Sequence, residues 1–272
     1  QIEALKKDYE VITPCLAGYA ESSLFKAPNT INENAKLVLG LLNHLKINNF
    51  YLLGHSMGGM IVQEIAAMNI KKVEKLICCG TGPIGTLPSR FETIEETRKK
   101  ILKIGIEPLR KEIAKTWFVD YENSKGYPIC LEEGKKATKQ AALASLSAWE
   151  KWDGREQLSK IDCPTLIIWS DKDKSYDWAQ QKALKQGIKH SEIAVIKDCA
   201  HNAHMEKPKK YKKKRFVDIQ RWKYLCEKEP KEQIDESLEK FIQKTRIEYR
   251  RGRLLTFAGW IKMVRELLDE LD

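Results

Sequence analysis

The segment Gly54-His55-Ser56-Met57-Gly58-Gly59 constrains this chain more than any other. It follows a compact apolar run, Phe50-Tyr51-Leu52-Leu53, and leads into a mostly apolar stretch from Met60 to Met68. A strand that passes directly into a helix must turn sharply. A side chain at either outer glycine of Gly-x-Ser-x-Gly would strike neighbouring backbone. The serine between them is then held out at the end of a strand and the start of a helix. The Met57 N–H is free to point at a developing oxyanion. The five-residue pattern recurs by chance as an ordinary glycine-rich turn. The apolar strand before it and the apolar helix after it set this copy apart.

The rest of the chain supplies a matching framework. Tyr9 to Pro14 reads as a short strand stopped by proline. Thr30-Ile31-Asn32-Glu33 has capping-box spacing and opens a helix carrying Leu37, Val38, Leu41, Leu42 and Leu45. Val73 to Cys79, Pro164 to Trp169 and Ser191 to Ile196 read as further buried strands. Residues 83–150 read as several helices, broken near Pro108 and Pro128, with no strong strand. Asp153-Gly154-Arg155-Glu156 has a second capping-box spacing and starts a short helix. Strands alternating with helices predict an α/β fold with a mostly parallel, doubly wound sheet.

A serine alone is a poor nucleophile and needs a base that is itself oriented by an acid. In sheets with this turn the chain order is serine, acid, histidine. After Ser56, Asp171 and Asp173 follow the strand ending at Trp169, and His201 and His204 lie beyond the next strand. Both groups fall at strand ends, where a doubly wound sheet builds its site.

These landmarks resemble the α/β-hydrolase family, in its esterase, enol-lactonase and carbon–carbon hydrolase branch. The resemblance runs over Asp8 to Pro14, Gly18 to Ser22, the serine turn, Pro164 to Asp173 and His201 to Pro208. It implies Ser56 as nucleophile, His201 as base, Asp173 as acid with Asp171 as runner-up, and Met57 N–H as oxyanion donor. His204 is the less favoured base. His55 sits at the variable position of the turn and carries no assigned role. The resemblance implies no metal and no organic cofactor. The substrate it implies is a small molecule bearing an ester, lactone or vinylogous ketone carbonyl.

The same resemblance divides the chain. Residues 1–82 and 151–206 form the hydrolase core, 83–150 a helical cap over the site, and 207–272 a basic helical C-terminal extension. Within the cap region and its border, Trp117, Phe118, Tyr121, Tyr127, Trp149 and Trp152 are candidates for an apolar substrate pocket, Trp117 and Trp149 foremost. The family normally has about three strands before the helix that Gln1 to Lys7 resembles. One of them lies mid-sheet, ends in His-Gly and supplies the second oxyanion donor. No such segment precedes Tyr9 here, so the chain reads as N-terminally truncated. Losing one such donor costs roughly 100- to 1000-fold in rate. Cys15 stands near the place where relatives often carry an aspartate, and reads as a buried thiol.

Charge is uneven. The net charge is +10, but residues 207–272 carry 19 Lys and Arg against 12 Asp and Glu. Seven basic residues fall within 207–215. This run reads as a solvated insertion, and a basic site for nucleic acid is the minor alternative. Gln233 to Ile242 is a candidate displaced final helix. Leu254, Phe257, Ala258, Ile261, Val264, Leu267, Leu268 and Leu271 predict an amphipathic helix that could pack on the body or make an oligomer. Seven scattered cysteines without a Cys-x-x-Cys pair read as free thiols, which suits a reducing, cytoplasmic setting. No apolar run approaches the roughly 18 residues of a membrane span. The competing functional reading is a non-catalytic binding protein on a truncated hydrolase body.

Overall fold

The structure is a computed structural model describing residues 2–6, 9–68, 71–86, 92–210 and 252–258. Its centre is a six-stranded sheet, built from β1 (Tyr9–Ile12), β2 (Phe50–His55), β3 (Val73–Cys79), β4 (Thr165–Ser170), β5 (Ser191–Ile196) and β6 (Gly252–Ala258). The order across the sheet is β1-β6-β2-β3-β4-β5, and every neighbouring pair is parallel. Parallel strands need crossovers, and helices supply them. Helix α1 (Ile2–Leu5) precedes β1, α2 (Ile31–His44) lies between β1 and β2, and α3 (Met57–Met68) between β2 and β3. Between β3 and β4 come α4 (Ile94–Ile104), α5 (Ile106–Lys115), α6 (Tyr127–Gly134) and α7 (Lys139–Lys151). Helix α8 (Trp178–Gly187) joins β4 to β5, and the short α9 (Ala203–Glu206) follows β5.

The sheet is buried on both faces because its residues alternate between two apolar layers. Leu52, Leu76, Cys78 and Ile167 join one core with Val38, Leu42, Ile61 and Ile65 of α2 and α3. Tyr51, Leu53, Ile77, Cys79 and Leu166 join the other, with Leu5, Cys199 and Ala203. The adjacent Cys78 and Cys79 therefore face opposite layers. Burial pushes the Cys78 thiol up, and the Cys163 thiol up to about 12. The described cysteines are free thiols. Thr30 caps α2 as its spacing predicts, its hydroxyl accepting from the Glu33 N–H.

Several expectations change. The helices do break near Pro108 and Pro128 as expected, but each proline sits in the first turn of the helix that follows the break, α5 and α6. Their missing N–H costs nothing there, since first-turn N–H groups have no partner within the helix. The break between α4 and α5 falls at Gly105, whose φ of +81° lies in the left-handed region. The element after Asp153 is a 3-10 helix, Arg155–Lys160, capped by no side chain. Asp153 turns its carboxylate onto the backbone and guanidinium of Arg155 instead.

The larger correction concerns the sheet centre. The mid-sheet place that the sequence leaves empty is occupied by β6, drawn from the C-terminal part of the chain. Residues 252–258 are thus strand, where the amphipathic pattern predicts the start of a helix. A short apolar run fits either period. Both β1 and β2 offer it a full parallel ladder, Val11 with Leu254 on one side and Leu53 with Thr256 on the other. Ladder hydrogen bonds on both sides outweigh a weak helical periodicity. The rest of the expected C-terminal helix, its role in oligomers, the Gln233–Ile242 helix and the basic run beyond Lys210 lie outside the described residues.

Candidate active site

The serine turn forms because its backbone has no room for anything else. A Cβ on Gly54 would lie 2.2 Å from the Gly58 carbonyl oxygen and 2.6 Å from a Val62 methyl. Real Cβ atoms do not approach that closely, so β2 and α3 can pack at this angle with glycine alone. Gly59 matters as much, because a Cβ there would meet the Thr81 side chain at 2.4 Å. Ser56 itself adopts φ of +54°, a strained conformation costing on the order of 1–3 kcal/mol. Three hydrogen bonds hold it. Ser56 N–H donates to Cys79 O at 3.0 Å, and its carbonyl accepts from Gly59 N–H and from the Thr81 hydroxyl. The Met57 N–H stands at the first residue of α3, where the helix dipole favours negative charge.

His201 and Asp173 meet beside this turn. His201 Nδ1 lies 3.0 Å from Asp173 Oδ2, with both side chains almost fully buried. The other Asp173 oxygen accepts from the backbone N–H groups of Ser175 and Tyr176. A carboxylate so tethered cannot rotate away from the imidazole. Asp171 points elsewhere: it accepts from the Asp198 N–H at 2.8 Å and braces the turn after β5. His204 packs edge-on against His55 at 5.0 Å between ring centres.

Side chains around His201 fix its ring. His55 lies at 4.5 Å between centroids, Tyr176 stacks at 5.7 Å, and Trp117 lies at 6.0 Å. Glu206 holds the loop from below, accepting from Ala200 N–H and Val119 N–H, both at 2.7 Å. It thereby ties the histidine loop to the segment between α5 and α6.

His55 is the residue that sequence reasoning missed. Its Nε2 lies 3.0 Å from the His201 carbonyl oxygen. A carbonyl only accepts, so Nε2 carries the proton. Burial, then the neighbouring His201 and His204, hold the His55 pKa well below its usual 6.5. It therefore stays neutral and props the His201 backbone. The unfolded chain binds a proton on this residue below pH 6.5 and the folded chain does not, so stability falls as pH drops through that value. One such group contributes a slope of at most about 1.4 kcal/mol per pH unit. A His55→Gln protein is expected to lose this part of the slope between pH 6.5 and 5. Denaturant melts at several pH values would show it, and an unchanged slope would rule the assignment out.

Ser56, Met57, His201, Trp117 and Trp149 all line one cavity of about 160 Å³ between the strand ends and helices α4–α7. Of the other aromatic candidates, Phe118 is buried away from it and Trp152 donates to buried Glu64. Tyr121 is exposed and bonded to Lys174, and Tyr127 also lies outside the cavity lining. Among the described residues, no cluster of three His, Cys, Asp or Glu side chains could hold a metal ion. Also among them, no helix is long and apolar enough to cross a membrane.

A parallel sheet with a serine on a glycine-walled strand-to-helix turn defines a class of hydrolytic folds. Residues 2–213 match the alpha/beta hydrolase family, and the chain belongs to that family. It is 27% identical over 214 residues to the 2-hydroxy-6-oxononadienedioate/2-hydroxy-6-oxononatrienedioate hydrolase of Paraburkholderia xenovorans, covering 75% of this chain and 73% of that protein. It is 26% identical to 3-oxoadipate enol-lactonase 1 of Acinetobacter baylyi, covering 78% and 79%. Among solved structures, the esterase from Exiguobacterium antarcticum superposes with a TM-score of 0.69 at 21% identity, over 75% of this chain and 79% of that one. These relatives are hydrolases, which supports a hydrolytic activity for this chain.

Proposed function

We propose that this chain is a serine hydrolase that cleaves an ester, lactone or vinylogous ketone in a small molecule. The observation that carries the reading is that His201, held from behind by buried Asp173, lines one cavity with Ser56 at the tip of its turn. In the reaction Ser56 Oγ attacks the substrate carbonyl and gives its proton to His201 Nε2. Asp173 holds the ring through Nδ1–H and stabilises the imidazolium. The Met57 N–H receives the oxyanion. The tetrahedral intermediate collapses as His201 protonates the leaving group. Water then enters, gives a proton to His201 and attacks the acyl carbonyl; the bond to Ser56 Oγ breaks as His201 returns that proton to it, releasing the acid.

Helices α4–α7 act in this reading as a cap that keeps water from the bound carbonyl, with Trp117 and Trp149 against the substrate. The test is labelling with a fluorophosphonate probe. Wild-type protein should be labelled at Ser56, and Ser56→Ala should not. A folded wild-type sample that remains unlabelled would sink the catalytic reading and leave the binding-protein alternative.

A further inference from the structure

The cavity beside Ser56 is mostly apolar, yet its charged lining is of one sign. Among the described residues its charged side chains are Arg110 and Lys174, and no Asp or Glu lines it. Lys174 is already engaged: its Nζ donates to the Tyr121 hydroxyl at 2.7 Å and sits over that ring. Arg110 is different. Its side chain is 8% exposed, set on α5 among Ile106, Leu109 and Ile113. Gly134 of α6 leaves room for its stem, since a Cβ there would stand 2.4 Å from Arg110 Cδ. Its Nη2 meets the carboxylate of Glu107, which is 56% exposed, while Nε has no hydrogen-bond partner among the described residues.

A buried guanidinium with an unfilled donor is costly. A solvent-exposed carboxylate one turn away offsets little of that cost. Burial accordingly lowers the Arg110 pKa from its ordinary value, although a guanidinium keeps its charge at neutral pH. The missing acceptor is what a ligand carboxylate supplies, in the planar two-pronged geometry that arginine favours.

Resting on the serine-hydrolase reading, the geometry points to a substrate with a second functional group: a carboxylate, separate from the carbonyl that Ser56 attacks and held by Arg110. Arg110 is then a specificity-determining residue. The apolar wall between it and Ser56 takes the hydrocarbon that joins the two groups.

Monomethyl adipate carries both an ester and a carboxylate, and dimethyl adipate carries two esters and no charge. Binding of each to the Ser56→Ala protein can be followed by tryptophan fluorescence. The monomethyl ester should bind about 10- to 100-fold more tightly, as expected for hydrogen bonds to a charged group. Adding Arg110→Met should abolish that preference and leave dimethyl adipate binding within about threefold. Arg110→Lys should restore part of it, and serves should the methionine protein not fold. Equal binding of the two esters with Arg110 intact, or a preference that survives its loss, would overturn the proposal. The hydrolase reading fails separately. Arg110-dependent binding in a protein whose Ser56 resists the fluorophosphonate would keep the carboxylate site and discard the catalysis. Ser56-dependent hydrolysis with no Arg110-dependent preference would do the reverse.

Discussion

An Asp173→Asn protein should fold normally and lose about four orders of magnitude in kcat on any ester the wild type cleaves. The asparagine keeps an oxygen for the Ser175 and Tyr176 N–H groups, so the loop after β4 retains its bonds. What changes is the atom facing His201. An amide NH2 in place of Oδ2 can only donate, so Nδ1 must accept and the ring proton moves to Nε2. The nitrogen needed to take the Ser56 proton is then already protonated. The loss should appear in kcat with little change in KM, because the carboxylate touches the imidazole and not the cavity. A thermal melt within a few degrees of wild type, measured on the same sample, separates this from unfolding. Activity within about tenfold of wild type would remove Asp173 from the mechanism, and Asp171→Asn would then be the next variant to assay.

The second large effect is on stability. Gly54→Ala adds one methyl group, and exposed substitutions of that size usually change stability by less than about 0.5 kcal/mol. Here the methyl would stand 2.2 Å from the Gly58 carbonyl oxygen and 2.5 Å from its carbon. Backbone cannot step aside as a flexible side chain can, so α3 would have to move off β2. Those two elements share the principal core, and overpacking at such a point costs at least 1–3 kcal/mol and more when backbone must shift. The expected result is insoluble protein or a loss above about 4 kcal/mol by denaturant titration. A soluble Gly54→Ala protein melting within a few degrees of wild type would show that the elbow is looser than its contacts imply.

The parts of the fold that sequence reveals are those written in short-range patterns. The alternation of apolar strands and helices placed β1 to β5, and the glycines around Ser56 announced the sharp turn. Other features needed three dimensions. Asp171 and Asp173 stand two residues apart at one strand end, and only their partners tell them apart: a backbone turn for one, an imidazole for the other. His55 looked incidental because its role depends on a contact with the His201 carbonyl, far away in sequence. Arg110 and Gly134 were invisible for the same reason. The strand at 252–258 was hardest, because seven residues fit two periods and the deciding partners, β1 and β2, lie near the other end of the chain.

That strand has a consequence for how the molecule comes into being. Tyr9 pairs with Gly252, and Gly54, beside the serine, pairs with Phe257. A ribosome delivers β1 and β2 long before it delivers the strand that joins them. Until then the two present facing rows of unpaired N–H and C=O groups, separated by a slot roughly two strand spacings of about 4.8 Å wide. Such a slot accepts any extended peptide of suitable pattern. The nascent chain therefore needs shielding from neighbours on the same message while it waits for its own donor strand. A chain cut short before residue 252 keeps the slot open, and with it a standing route to strand exchange between copies.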